Sequence, residues 1–190
     1  ENLAQARDLL ALCRRKRLQA SVNFQLRHAP YVAAARALIA AGAIGDLHDV
    51  DVRVTVHTPW QRWTFLEALP RVEILYHSIH YLDLVRSFLG EPRGVHALTV
   101  RHPKMPRLAS TRTSIALDYG DLLRASISTN HGHEFGLKHQ ESYVKWEGTR
   151  GAIKARLGLL LNYPAGEPDA LEICRLDASD QPGPWEPVPF

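Results

Sequence analysis

The sequence has few of the residues that build disulfide frameworks or membrane spans. It contains only 2 cysteines and 1 methionine among 190 residues. Cys13 and Cys174 occupy apolar positions of a predicted helix and a predicted strand, so we expect reduced core thiols and a cytoplasmic protein. No run of about 18 apolar residues is present, which argues against a membrane-spanning helix.

The sequence also lacks an excess of charge of one sign. Its 23 basic and 20 acidic residues give a formal net charge of +3. The one basic cluster, residues 14–17, closes a predicted helix, where cations complement the helix dipole, and no aromatic residues interleave with it. We therefore expect neither a nucleic-acid partner nor a membrane partner.

The first 45 residues predict a helix, a strand and a second helix. Asn2 and Gln5 form a potential capping box for a helix over residues 3–17. Apolar alternation predicts a short strand over residues 19–26, and Pro30 opens the second helix. Because the chain starts without Met, just before a helix cap, we expect it to be part of a larger protein, with residues 1–45 as a linking segment.

From residue 47 the apolar period changes from that of a helix to that of a strand. The valines at positions 50, 52, 54 and 56 alternate with polar residues, which is typical of a sheet covered on one face. Further strands are predicted over residues 95–101, 111–119, 122–130, 141–147, 152–157 and 171–176. We predict an α+β fold over residues 46–176, an open and mostly antiparallel sheet with helices packed on one face, followed by an irregular proline-rich tail over 177–190. The uncovered polar face suits a second copy, so we expect a homo-oligomer.

The run from Glu73 to Asp83 concentrates titratable groups on a predicted helix over residues 73–89. Residues three or four apart share a helix face, which groups Glu73 with His77 and His80, and Tyr76 with His80 and Asp83. The apolar face is expected to carry Leu75, Ile79, Leu82, Val85 and Leu89. Such a polar face suits proton transfer. Alternatively, Glu73, His77 and His80 could bind a metal such as zinc, with a fourth ligand from the loop of His131 and His133.

Three motifs resemble the glucose–fructose and inositol dehydrogenase-like (Gfo/Idh/MocA) oxidoreductases. Residues 22–30, followed by a helix and Gly-Ala-Ile-Gly at 42–45, resemble that family's segment between its two domains. Residues 79–92, with His80 and Asp83, resemble its active-site helix, and Gly-Thr-Arg-Gly at 148–151 resembles a late hairpin. The resemblance implies a C-terminal domain on a large open sheet, which in the family follows an N-terminal Rossmann domain.

The departures from the family pattern are informative. No glycine-rich phosphate loop is present, and Tyr76 stands where the family often has an aspartate. The resemblance therefore implies the substrate-side C-terminal portion of an oxidoreductase that uses NAD or NADP when complete. We expect no cofactor in this chain alone, apart from a possible phosphate contact by Arg27, and we expect the chain alone to be inactive.

The resemblance implies that His80 is the catalytic proton acceptor and that Asp83 either orients it or contacts a substrate hydroxyl. Tyr76 would extend the relay as a hydrogen-bond donor in place of the usual carboxylate. The substrate implied is a sugar, polyol or related hydroxyl compound. Candidate substrate-binding residues are Arg27, Trp60, Arg62, Trp63 and His77. The histidines at positions 131, 133 and 139 are expected in a solvated loop that rims the pocket. A non-catalytic sheet module for dimerisation or ligand binding remains the alternative.

Overall fold

Alternating valines build the central strand of the sheet. In the computed structural model, which describes residues 2–190, β1 (Leu47–Thr55) pairs in parallel with β4 (Arg124–Asn130) and antiparallel with β5 (Glu141–Gly148). Val52 lies opposite Ile127 on one side and Val144 on the other, and all three side chains are buried. The period-2 pattern thus marks a strand in the centre of the sheet.

The remaining strands extend the sheet on both sides of this centre. They are β2 (Gly94–Val100), β3 (Arg112–Asp118), β6 (Gly151–Arg156), β7 (Ala170–Arg175) and β8 (Glu186–Pro187). The strand order is β2-β3-β4-β1-β5-β6-β7-β8, and every pairing among these described strands except β1 with β4 is antiparallel. The predicted open, mostly antiparallel sheet is confirmed.

Helices cover one face of this sheet. Helix α2 (Pro30–Ala40) and helix α3 (Ile79–Leu89) contribute to the same buried cluster as the valines of β1. On the other face the side chains are open, as at Ser114 and Ala116 of β3. The predicted α+β class, with helices on one face, is therefore confirmed. Within residues 2–190 no helix combines the length and the apolar character that a membrane span requires.

Helix α1 (Leu3–Lys16) stands apart from this core. The predicted capping box between Asn2 and Gln5 is present. None of its residues is buried, so Cys13 is only partly covered, whereas Cys174 of β7 is buried as predicted. The prediction of a core thiol at Cys13 is wrong for the described residues because the apolar face of α1 packs against none of the core.

The strand predicted over residues 19–26 is also wrong. Residues 19–24 adopt no regular structure, and Gln25–His28 form a short 3₁₀ helix. A strand needs a neighbour for its backbone hydrogen bonds, and no described strand lies beside this segment. Val22, one of its alternating apolar residues, is 73% exposed.

The helix predicted over residues 73–89 contains a π-helical turn at Ile74–Ser78 before α3 begins. The buried stripe of α3 is centred on Tyr81, Leu84 and Val85, with Leu82 and Leu89 partly buried at its flanks. Of the predicted apolar face only Val85 is fully buried. The π turn inserts one residue relative to an α-helix, which displaces side chains before it from the faces that a 3.6 period predicts.

The proline-rich tail is irregular apart from one short strand, which ties it to the sheet. Its strand β8 pairs with β7, and the amide of Val188 donates to the carbonyl of Leu171 at 2.8 Å. The ring of Phe190 contacts Tyr31 of α2 edge-on at 5.9 Å. The free edge of β7 offers backbone partners to a short segment that has no apolar period of its own.

Candidate functional site

The π turn places the carboxyl group of Glu73 against the sheet. In an i to i+5 turn, residues five apart approach each other, and the hydroxyl of Ser78 donates to the two carboxylate oxygens of Glu73 at 3.0 and 2.8 Å. From β4, the hydroxyl of Thr129 donates to the same group at 2.7 Å. Glu73 is fully buried, and this burial raises its pKa, while hydroxyl hydrogen bonds oppose the shift.

Two imidazoles stack beside this carboxyl group. His131, which follows β4, has its ring centroid 3.8 Å from that of His77, with 15° between the ring planes. Nε2 of His131 lies 3.8 Å from Oε1 of Glu73. Burial, and secondarily the neighbouring imidazole, lowers the pKa of His131 well below its ordinary value. Burial, and then the charge of His80, lowers the pKa of His77 to about 4, so both rings are neutral at pH 7.

Side chains from the segment after β1 hold His131 in place. Nδ1 of His131 lies 3.2 Å from the hydroxyl oxygen of Thr58, and the indole nitrogen of Trp60 donates to the His131 carbonyl at 2.9 Å. His131 is fully buried, and His133 is 8% exposed. The prediction of a solvated loop is therefore wrong at both positions, because polar partners compensate the burial.

Glu73, His77 and His131 form one compact group of potential metal ligands. Their ligand atoms all lie within 4.8 Å of one another. His80, the third member of the set that the sequence suggested, does not belong to this group. His131 takes its place, although it is distant in the sequence from the helix that carries the other two.

His80 instead lines a cavity of about 320 Å³. The polar residues around that cavity are Gln25, Tyr31, Tyr76, His77, His80, Tyr81 and Asp169. Nδ1 of His80 is buried and has no hydrogen-bond partner within residues 2–190. Burial lowers the pKa of His80, and the charge of Asp83 opposes this shift. His80 is thus a neutral imidazole in the wall of a pocket large enough for a small molecule.

Asp83 is engaged by Arg27 and does not point into this cavity. The guanidinium of Arg27 donates from Nε to Oδ2 of Asp83 at 2.8 Å and from its Nη2 to Oδ1. Hydrogen bonding to Asp83 raises the pKa of Arg27. The pair joins the 3₁₀ turn of the linking segment to α3, so Arg27 and Asp83 are structural partners of each other.

Two of the candidate substrate-binding residues, Trp60 and Trp63, line a second cavity of about 220 Å³ together with Tyr76 and His77. Trp60 is 7% exposed, with Leu66 and Leu108 in a second apolar cluster, and this burial favours a packing role. Trp63 is partly buried against Tyr163, whose ring centroid lies 6.0 Å away. Arg62 is exposed. Neither tryptophan nor Arg62 lines the cavity beside His80.

Sequence reasoning missed several contributors to the site, among them Thr129, Asp169 and Gln25. Thr129 belongs to an alternating strand, and its inward position could have been inferred from that period. Asp169 reaches the cavity wall, where its Oδ1 accepts a hydrogen bond from the amide of Gly158 at 2.7 Å. Gln25 lies in the segment whose local structure was predicted wrongly, so nothing in the sequence indicated its direction.

The sequence was compared with known protein families and with curated proteins. A family model described as the GFO/IDH/MocA C-terminal domain matches residues 32–154. The sequence matches no curated protein.

Solved structures share the fold of the whole chain. An oxidoreductase from Agrobacterium radiobacter, solved in complex with NAD+, L-tartaric acid and magnesium, aligns with a TM-score of 0.76 at 19% identity over 99% of this chain and 51% of its own. An aldose-aldose oxidoreductase from Caulobacter crescentus, solved with glycerol, aligns with a TM-score of 0.73 at 18% identity over 98% of this chain and 53% of its own. The chain spans about half the length of these structures.

Proposed function

Since this chain belongs to the GFO/IDH/MocA C-terminal domain family, we propose that it forms the substrate-side half of an NAD(P)-dependent oxidoreductase. The substrate class that we propose is a sugar, polyol or related hydroxyl compound. Structural neighbours solved with L-tartaric acid and with glycerol support a small hydroxyl compound as the ligand. A nicotinamide cofactor would supply the hydride acceptor, and we place its binding on another part of the protein because this sequence contains no glycine-rich phosphate loop.

The observation that carries the proposal is the position of His80. Its imidazole lies in the cavity wall with an unpartnered, buried Nδ1 among the described residues. When a hydride leaves an alcohol carbon, the hydroxyl proton needs an acceptor, and a neutral imidazole takes it. Because burial lowers the pKa of His80, the ring is in the accepting form at neutral pH.

Other cavity residues have supporting roles in this proposal. The phenol of Tyr76 and the amide of Gln25 line the same cavity and would hold substrate hydroxyls by hydrogen bonds. Asp83, fixed by Arg27, acts on His80 through its charge. Asp83 is in this view a positioning residue that tunes the proton acceptor without contacting substrate.

The uncovered face of α1 supports the proposal that a further domain packs here. Leu3, Leu9 and Leu10 are each more than half exposed, and so is Val22 in the segment that follows. Apolar residues spaced along one helix face normally pack against a neighbour. We place the nucleotide-binding half of the enzyme against this face.

The test is a His80→Asn substitution in the full-length protein. We expect turnover of the native substrate to fall by about 10²–10⁴-fold, the usual contribution of a general base, with cofactor affinity nearly unchanged. His96→Asn, on the exposed edge strand β2, is the matched control and should retain full activity. Turnover unchanged in the His80 variant would refute the assignment.

The alternative, a non-catalytic sheet module, has one observation in its favour. Strand β2 exposes Val95 and Leu98, at 66% and 61%, on an edge that has no neighbour among the described strands. A second copy that covers this region would form a homo-oligomer. The mass of the particle in solution, measured by light scattering, tests this assembly independently of any activity.

A further inference from the structure

We propose that Glu73, His77 and His131 bind a divalent transition-metal ion of the zinc class. The three side chains supply one carboxylate oxygen and two imidazole nitrogens, which zinc accepts as ligands. Their ligand atoms lie within 4.8 Å of one another in the interior of the protein. This proposal concerns a centre behind the wall of the His80 cavity and does not depend on the oxidoreductase function.

Unpartnered nitrogen atoms point to a ligand at this place. His131 is fully buried, yet its Nε2 has no hydrogen-bond partner within the described chain, and it lies 3.8 Å from the carboxylate of Glu73. Nδ1 of His77 is likewise buried without a partner. Buried polar atoms are nearly always satisfied in folded proteins, so two unsatisfied nitrogens beside one carboxylate support the proposal of a bound ion at this place.

The groups behind the three ligands are arranged as supports for a metal site. When Nδ1 of His131 carries the proton and donates it to the hydroxyl of Thr58, 3.2 Å away, the lone pair of Nε2 is directed toward the carboxylate. The hydroxyls of Ser78 and Thr129 fix the carboxylate of Glu73 by hydrogen bonds. Metal-binding histidines and carboxylates are commonly oriented by such partners.

The stacked imidazoles set a condition for binding. The planes of His77 and His131 are within 15° of parallel, whereas two imidazoles that share one ion point their nitrogens toward a common centre. The ring of His77 must therefore tilt out of the stack. Its Nδ1 has no hydrogen bond within residues 2–190 that would oppose this movement.

The experiment measures metal content. The full-length protein is stripped with a chelator, incubated with zinc, desalted, and analysed by plasma mass spectrometry. We expect about one equivalent of zinc per chain, as for a three-ligand site with one further position for water. Cobalt substituted for zinc should give the intense visible absorption of a four-coordinate nitrogen and oxygen site.

Variants separate the proposed site from adventitious binding. Glu73→Gln and His131→Asn should both lose the bound zinc and the cobalt spectrum, whereas His80→Asn, three residues from His77 but outside the ligand group, should keep both. Circular dichroism spectra establish that each variant is folded, and Glu73→Gln preserves the shape of the side chain. Zinc content in the wild type no higher than in a folded His131 or Glu73 variant would overturn the proposal. Metal content is measured independently of turnover. That result would therefore not bear on the proposed role of His80, which is tested by the His80→Asn variant.

Discussion

Asp83 of helix α3 and Arg27 of the linking segment hold each other through two parallel hydrogen bonds, 56 residues apart in the sequence. The carboxylate is 9% exposed and the guanidinium 39% exposed. Such a pair fixes orientation as well as charge, because the guanidinium fork matches the carboxylate geometry. His80 lies on the next turn of the helix toward its start, where burial lowers its pKa and the charge of Asp83 opposes that shift.

The first prediction concerns the pH dependence of activity. The acid limb of kcat/KM reports protonation of His80, whose pKa is lowered by burial and raised by Asp83. Asp83→Asn removes the raising charge, so the limb should move to lower pH. Arg27→Met uncovers the carboxylate, so the limb should move to higher pH. If the acid limb moved in the same direction in both variants, the pair would act on the structure and not through its charges. The control is Arg53→Met, which breaks the exposed pair with Glu141 and should leave the pH profile unchanged.

The second prediction concerns the centre of the sheet. Ile127 of β4 is 1% exposed and lies opposite Ile115 and Val52 on its two neighbouring strands. Ile127→Ala should lower the free energy of unfolding by about 2–5 kcal/mol, because it removes buried methyl groups and leaves a cavity. Urea denaturation measures this change.

The comparison for that experiment is Val95→Ala on the exposed edge strand. Val95 is 66% exposed, so its truncation should change the free energy of unfolding by no more than about 0.5 kcal/mol. Equal losses in the two variants would contradict the position of Ile127 in the core.

The third prediction concerns the hairpin between β5 and β6. A side chain at Gly148 would collide with the carbonyl oxygen of Ile44, which is backbone and cannot move aside easily. Gly148→Ala should therefore destabilise the protein strongly and lower its thermal midpoint. Gly42→Ala is the matched control, because Gly42 has a φ of +72° but open space around it, and should cost only about 1–2 kcal/mol. If Gly42→Ala lowered the stability as much as Gly148→Ala, the backbone conformation, and not the contact with Ile44, would be the cause of the loss.

The sequence correctly predicted those features that depend only on residues close together in the chain. The alternating valines of β1 and the capping box at Asn2 were confirmed, because period and cap geometry are properties of neighbouring residues. The order of the elements and the family were also predictable from motifs. The strand predicted over residues 19–26 failed because a strand depends on a neighbour that the local sequence does not specify.

The candidate site depends on contacts between distant residues and was only partly predicted. Glu73 and His77 were identified as a pair, but the π turn that buries Glu73 is held by Thr129 of a strand far along the chain. His131 joins them through the burial of a segment that its polarity suggested was solvated. No helical or strand period places His131 beside Glu73 and His77. The sequence suggested the loop of His131 and His133 only as a possible source of a further ligand, and the structure shows which of these residues approaches the pair.

The parallel pairing of β1 with β4 has a consequence for how the site forms. Two parallel strands finish at the same border of a sheet, so the residues that follow Thr55 and those that follow Asn130, its register partner, emerge side by side. Thr58 and Trp60 leave one strand, His131 leaves the other, and they meet through two hydrogen bonds. A slip of one residue between these strands would reverse the inward and outward side chains and separate all of these groups together. The hydrogen bonds of His131 therefore indicate correct strand alignment. A misaligned molecule should lose the hydrogen-exchange protection of the Val56 amide, which donates to the carbonyl of Asn130 at 2.9 Å, along with that of the central strands.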